Sequence, residues 1–387
     1  MHLLDAVLRK GLPLEAALDA AARGLDRADD RALAHAIAAE ALRRLPDLDA
    51  LIDRATRQRL PDDAKARFAL RIALVQALVL RTPPHAAIAT VLPLLEGGPR
   101  RLVHGVFGTV LREGWELPEP PALPPAVAER WRRAWGQEAV AAAARLIAAP
   151  PPLDLGFPPD APPPGLDGVS LLPGHLRLAR GTAVAGLAGY GEGRWWVQDV
   201  AASMPARLLG AGEGRTALDL CAAPGGKTMQ LAAAGWRVTA VDVSAPRLRR
   251  LGENLARTGF AAEIFTADIL QWQPRRPVDA VLLDAPCSAT GIFRRHPDVL
   301  HRVRPAAIRQ LAEMQLRMLD RAAGWLKPGG SLVYSVCSLE PEEGESVAPA
   351  FLEEHPDYRK EEERRLLPGW LEPEGGADSF YIARFAR

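Results

Sequence analysis

From Trp196 onward, short apolar runs alternate with amphipathic stretches, and this alternation restricts the possible folds more than any other feature of the chain. Thr216–Leu220, Arg237–Asp242, Glu263–Asp268, residues 278–284, Ser331–Val336 and Ser379–Phe385 have the length and aliphatic or β-branched content of strands. Helical patterns lie between them: a stretch after Asp199 through Leu209, one opening at Met229–Ala234, then Pro246–Thr258, Pro305–Leu326 and a segment near Gly344–Glu354. A turn is expected at Lys327-Pro328-Gly329-Gly330. Continuous apolar runs mark strands covered on both faces, so the expectation is an α/β domain, a mostly parallel sheet with helices on both sides. Ligands of such sheets bind beyond the carboxyl ends of the strands, which singles out the residues that follow each run.

Those residues carry chemistry. The first run is followed by Cys221-Ala222-Ala223-Pro224-Gly225-Gly226-Lys227-Thr228. Glycines there let the backbone approach a ligand, and the start of the next helix offers free N–H groups. The spacing is neither G-x-G-x-x-G nor a P-loop. Asp242 ends the second run and Asp268 the third. The first can accept both hydroxyls of a ribose, and the second can reach an adenine edge. Either also reads as the N-cap of the following helix. A loop and two acids in this order fit S-adenosylmethionine. The fourth run ends in Asp284-Ala285-Pro286-Cys287-Ser288, and the fifth is followed by Cys337. The two thiols read either as reactive groups or as small buried hydrophobes. Arg294, Arg295 and His296 follow the first of them and are candidate cations for a thiolate.

The first 130 residues are of another kind. Ala32–Leu45, Leu48–Leu60, Phe68–Leu80, His85–Leu95 and Arg100–Arg112 have helical spacing, and strand-like alternation is missing. Phe68–Leu80, apolar except at Arg71 and Gln76, is the expected central helix; Thr82-Pro83-Pro84 and Glu96-Gly97-Gly98-Pro99 break the pattern after it. Residues 131–195 read as a proline-rich linker and small subdomain: a helix over Val127–Ala149, proline clusters at Pro150–Pro152 and Pro158–Pro164, and strand and turn signals over Leu171–Leu178. The catalytic domain is expected over 196–387. A net charge of +1 excludes a global field that draws in nucleic acid, so basic groups such as Arg247, Arg249 and Arg250 act locally or simply solvate a helix face. Three cysteines without short-spaced pairs indicate neither a disulfide framework nor a metal site. No apolar run reaches membrane-spanning length, and the N-terminus lacks a signal-peptide pattern. A monomer in a reducing cytosol is expected.

Two resemblances sharpen this reading. Val75-Gln76-Ala77-Leu78, Pro84-His85-Ala86-Ala87-Ile88 and Leu102-Val103-His104-Gly105-Val106-Phe107 are similar to a NusB-like domain. Such domains bind RNA, although an Ala/Leu bundle without an RNA role is the alternative. Asp219-Leu220-Cys221-Ala222-Ala223-Pro224-Gly225-Gly226-Lys227-Thr228, Asp284-Ala285-Pro286-Cys287-Ser288 and Cys337-Ser338 closely resemble the RsmB/Nop/Sun family of RNA cytosine-5 methyltransferases over residues 195 to 387. The run from Ser288 to Asp298 looks like the bacterial ribosomal RNA branch. The resemblance implies a class I, Rossmann-like fold acting on small-subunit (16S) ribosomal RNA. It implies that Cys221 through Lys227, Asp242, Asp268 and Asp284 hold the donor S-adenosylmethionine, that Cys337 is the nucleophile and that Cys287 serves product release. The thiol of Cys221 has no expected chemical task.

A thiol answers a chemical need. Carbon 5 of cytosine is a poor nucleophile until a thiolate adds to carbon 6 and makes it enamine-like. A base must then remove the carbon 5 proton, and Asp284 can select the cytosine edge. In the alternative assignment Cys287 attacks, because Pro286-Cys287 is similar to the pair that DNA cytosine-5 methyltransferases use. Val336 stands where the family usually has Thr, so a hydroxyl beside the thiol is expected to be lost. Alternative functions are the same chemistry on transfer RNA, or an RNA-binding assembly factor without catalysis.

Overall fold

The computed structural model describes residues 1–387 apart from 22, 26, 149, 160 and 162–165, so parts of the Pro158–Pro164 cluster and the last residue of the expected Val127–Ala149 helix lie outside the described residues. The chain divides into two compact units, Met1–Ala149 with Phe293–Val303, and Pro150–Ile292 with Arg304–Arg387.

The first unit is helical: α1 His2–Leu8, α2 Leu14–Ala21, α3 Ala28–Arg43, α4 Leu45–Ala55, α5 Lys65–Leu78, α6 Pro84–Val91, α7 Gly97–Arg112 and α8 Pro125–Ile147. Proline in the first turn of α4, α6 and α8 costs nothing because its missing N–H would have no intrahelical partner. The central position expected for the Phe68–Leu80 segment is observed. Along α5, Ala66 through Gln76 are all buried, and Phe68, Leu70 and Leu74 sit in the core with Leu42, Leu48, Ile52, Val103 and Val110. The arginines on α5 are buried with it and find carboxylates on α4. Arg71 grips Asp49 with two bonds of 2.7 and 2.8 Å, and Arg67 bonds Asp53 at 2.5 Å. The Glu96–Pro99 break is placed differently from the sequence reading: α7 already begins at Gly97, because Pro99 falls in its first turn, where a proline is tolerated. The long α8 is bent where Gly136 takes φ +82.

The second unit opens with β1 Leu153–Gly156, β2 His175–Leu178 and β3 Trp196–Val197, an antiparallel sheet ordered β2-β1-β3. Asp154 lies buried in it and receives two bonds from Arg177, at 2.7 and 2.8 Å. Helix α9, Val200–Arg207, follows, capped by the Asp199 side chain, which accepts the Ala201 N–H at 2.9 Å. Then come β4 Thr216–Leu220, α10 Gly226–Ala233, β5 Arg237–Asp242, α11 Ala245–Thr258, β6 Ala262–Thr266, β7 Val278–Asp284, α12 Val299–Arg302, α13 Pro305–Ala323, β8 Leu326–Val336, α14 Val347–Glu354, β9 Arg359–Leu366 and β10 Phe380–Ala386. The sheet order is β6-β5-β4-β7-β8-β10-β9, parallel except that β10 runs antiparallel to both neighbours. The α/β class is as expected. The order reverses between β4 and β7, so the crevice for a ligand opens there.

Strand β9 was not expected. Its sequence, Arg-Lys-Glu-Glu-Glu-Arg-Arg-Leu, lacks apolar alternation because it is an edge strand, where charge is tolerated and discourages pairing with other chains. The turn expected at Lys327–Gly330 lies inside β8, whose register against β7 shifts between Val278 and Ala280 and so absorbs the extra residues. Helix α12 belongs to the first unit although its sequence interrupts the second. The Phe293 ring lies 5.5 Å from that of Trp131, and His301 Nε2 donates to the Leu42 carbonyl at 2.8 Å.

Candidate active site

The carboxyl edge of the parallel strands gathers the expected residues. Cys221 follows β4, Asp242 ends β5, Asp268 lies two residues beyond β6, Asp284 ends β7 and Cys337 follows β8. The loop from Cys221 to Gly225 is built tightly. Cys221 is held at φ +60, which costs a non-glycine residue about 1–3 kcal/mol. Gly225 takes φ +105, and a Cβ there would meet Leu251 Cγ at 2.8 Å. Asp242 is buried and organises the loop from its far side, accepting the Ala223 N–H at 3.1 Å and the Ser244 N–H at 2.8 Å. A carboxylate has further lone pairs for a ligand. Asp268 accepts the Leu270 N–H at 2.9 Å within a turn that no helix follows, while remaining partly exposed. Neither acid is the N-cap expected from the sequence: Ser244 holds that position on α11, and a turn leading to β7 follows Asp268.

The donor set suits S-adenosylmethionine. Asp219, one residue before the end of β4, is fully buried; its Oδ2 accepts from Thr228, while Oδ1 has no hydrogen-bond partner among the described residues. Burial pushes its carboxyl up to about 7. An open buried acceptor beside a glycine loop fits a ligand bearing an ammonium and a sulfonium. Sequence reasoning passed over Asp219, although it stands in the same string as Cys221. Burial likewise pushes the Cys221 thiol far up.

Next to this pocket the two remaining thiols meet. Cys287 Sγ and Cys337 Sγ are 3.5 Å apart and both are partly exposed. The hydrogen bond with Cys337, and then burial, raise the Cys287 thiol well above its usual range, so it stays protonated. Asp284 accepts from Lys227 Nζ at 2.7 Å and from the Ser335 hydroxyl at 2.8 Å. Burial opposes the charge on Lys227, but Asp284 outweighs it and keeps the ammonium protonated, with the Cys337 sulfur adding to the effect. Lys227 is thus a cation of the unit that carries the thiols. Arg294 and Arg295, expected in that role, belong to the helical unit. Val336 precedes Cys337 at the end of β8. Its side chain is buried in the apolar core with Leu332 and Tyr334, because successive strand residues face opposite ways.

Comparison with known proteins follows the same division. The family model described as 16S rRNA methyltransferase RsmB/F matches residues 206–385, and that of the NusB family matches residues 1–97. The chain is 36% identical to the ribosomal RNA small subunit methyltransferase B of Xylella fastidiosa, over 100% of this chain and 96% of that one. Its fold is similar to the crystal structure of PH0851, with TM-score 0.73 at 21% identity, covering 100% of this chain and 98% of that one. It is also similar to the structure of NSun6 from Pyrococcus horikoshii with SFG, with TM-score 0.61 at 18% identity over 68% of this chain and 98% of that one. Identity of this degree over nearly the whole of both chains carries one conclusion: the chain belongs to the RsmB/F family of 16S rRNA methyltransferases.

Proposed function

We propose that this S-adenosylmethionine-dependent methyltransferase forms 5-methylcytosine in 16S ribosomal RNA, with Cys337 as nucleophile and Cys287 as the group that permits product release. The observation that carries the proposal is the 3.5 Å separation of the two sulfurs beside the Lys227–Asp284 pair. The substrate follows the name of the Xylella relative, and the NusB-family match supplies a helical RNA-binding part.

Cys221 through Lys227, Asp242, Asp268 and Asp284 would hold the donor, whose chemical contribution is an electrophilic sulfonium methyl. The protein's own part is to prepare the base. Cys337 attacks as the thiolate: its sulfur forms a bond to carbon 6 as the carbon 5–carbon 6 π bond opens, and the displaced pair makes carbon 5 the nucleophile that would take the donor's methyl as the methyl–sulfonium bond breaks. Asp284, accessible between Lys227 and Ser335, accepts a hydrogen bond from the exocyclic amine or the protonated ring nitrogen of cytosine. Uracil offers a carbonyl at the amine position. Once Cys337 is bonded to the base, it no longer restrains Cys287 through their mutual hydrogen bond. With that bond gone Cys287 acts as a thiolate: its sulfur takes the carbon 5 proton, the C–H bonding pair restores the ring double bond, and the carbon 6–sulfur bond breaks with its pair leaving on Cys337 as a thiolate. The target base must be in a single strand or flipped out, at a cost of about a few kcal/mol. Free thiols of this kind require a reducing compartment, which fits a cytosolic enzyme.

Separate substitution of each thiol tests the proposal. Cys337→Ala is expected to lack both methyl transfer and adduct. Cys287→Ala is expected to accumulate a covalent protein–RNA species that survives a denaturing gel. The opposite pattern would transfer the attacking role to Cys287.

A further inference from the structure

We propose that Glu343 is a positioning residue whose carboxylate anchors the two cysteine loops to each other and so sets the spacing of the sulfurs. Glu343 is fully buried in a turn after β8, and the chemistry described above does not use it. Both of its oxygens are engaged by the residues that immediately follow the thiols. Oε1 accepts the Ser288 N–H at 2.8 Å, and Oε2 accepts the Ser288 and Ser338 hydroxyls, each at 2.5 Å. Ser288 follows Cys287 and Ser338 follows Cys337, so one side chain ties together loops 50 residues apart in sequence.

The anchor is itself held. Gln315 on α13 donates to Oε1 at 3.2 Å and to the Pro286 carbonyl at 2.9 Å, just before Cys287. The Tyr334 hydroxyl donates to the Glu343 backbone carbonyl, and the Gln315 side-chain oxygen lies 3.0 Å from it. The donors that converge on the carboxylate include one backbone N–H, one amide N–H and two hydroxyls, a set that an ionised, acceptor-only group satisfies. Burial raises the carboxyl above its usual range, and the serine donors oppose that shift. A surface ion pair would be screened and mobile, whereas a network this buried fixes its members.

The role rests on the thiol chemistry proposed above, but it concerns geometry and can be read without methyl transfer. A trivalent arsenical, phenylarsine oxide, binds two thiols at once when they are adjacent, and its affinity reports their pairing. Glu343→Ala is expected to weaken chelation by about tenfold or more, because the second sulfur loses its effective concentration. Single-turnover methyl transfer should fall by about 100-fold, the scale of a misplacement near 1 Å. Binding of S-adenosylhomocysteine, and the KM for RNA, should change by less than about threefold, since neither site contains Glu343. Ser288→Ala combined with Ser338→Ala keeps the carboxylate and removes its two hydroxyl donors; it should show the same split to a smaller degree. If Glu343→Ala does not fold, this double variant decides alone. Wild-type chelation in the folded variants would overturn the inference, and so would loss of donor binding in step with chelation. Should wild-type protein chelate the arsenical yet fail to methylate RNA, the proposed function fails while the positioning role still stands on the chelation data.

Discussion

At the scale of the residue, the active edge is governed by close approach of backbone. Gly291 follows the Cys287 loop and passes directly against the chain bearing Cys337: its N–H donates to the Cys337 carbonyl at 3.0 Å, and its carbonyl accepts the Ser379 N–H at 2.9 Å. A Cβ at this position would lie 2.1 Å from the Ser379 carbonyl oxygen and 3.0 Å from the Cys337 carbonyl group, and backbone cannot move aside as a side chain would. Gly291→Ala is therefore expected to cost about 1–3 kcal/mol and to lower methyl transfer more than donor binding, measured by thermal melting and single-turnover assays. Gly108 in α7 is the contrast. A Cβ there meets nothing within 4 Å, so Gly108→Ala is expected to stabilise by about 0.5–1 kcal/mol through reduced backbone freedom.

At the scale of the element, buried charge joins neighbours that apolar packing alone would leave free to slide. Arg67 is wholly buried on α5 and bonds Asp53 on α4. Arg67→Ala removes the buried partner of a carboxylate that is partly exposed and keeps Arg59, so the helical unit should lose about 2 kcal/mol, seen as an earlier melting transition with donor affinity retained. In the β1–β2 pair, burial alone would raise the Asp154 carboxyl, but Arg177 and His175 outweigh it and draw it down to about 2. A carboxyl lowered in the folded state contributes stability above its unfolded value of ~3.9. That contribution, roughly 2 kcal/mol, should be lost as pH falls from about 4 through 2. Asp154→Asn should flatten this part of the stability–pH curve, measured by denaturant unfolding at each pH.

At the scale of the whole molecule, the two compact units are not two consecutive pieces of chain. Residues 293–303 leave the catalytic unit, pack within the helical one and return. Phe293, Val299 and Leu300 are buried. A fragment spanning 150–387 would carry this apolar segment without the helices it packs on, so it is expected to aggregate or melt earlier than the full chain, and co-expression with residues 1–149 should restore solubility. Sedimentation and melting of the fragment, alone and complemented, check this.

The α/β class, the helical first part, and the residues at the carboxyl edge were legible because each is written locally. Apolar runs mark buried strands, glycine and proline mark the donor loop, and the strings around Cys221, Asp284 and Cys337 are contiguous. Strand β9 was illegible because an edge strand needs no apolar face, and the start of α7 because a proline in a first turn looks like one that breaks a helix. What only tertiary structure decided concerns partners distant along the chain. Lys227 pairs with Asp284, Val336 faces the core, and Glu343 joins the serines beside both thiols. Local sequence sets what each side chain can do; which other side chain it does it with depends on long-range pairing of β7 with β8, and no periodicity in the sequence records that.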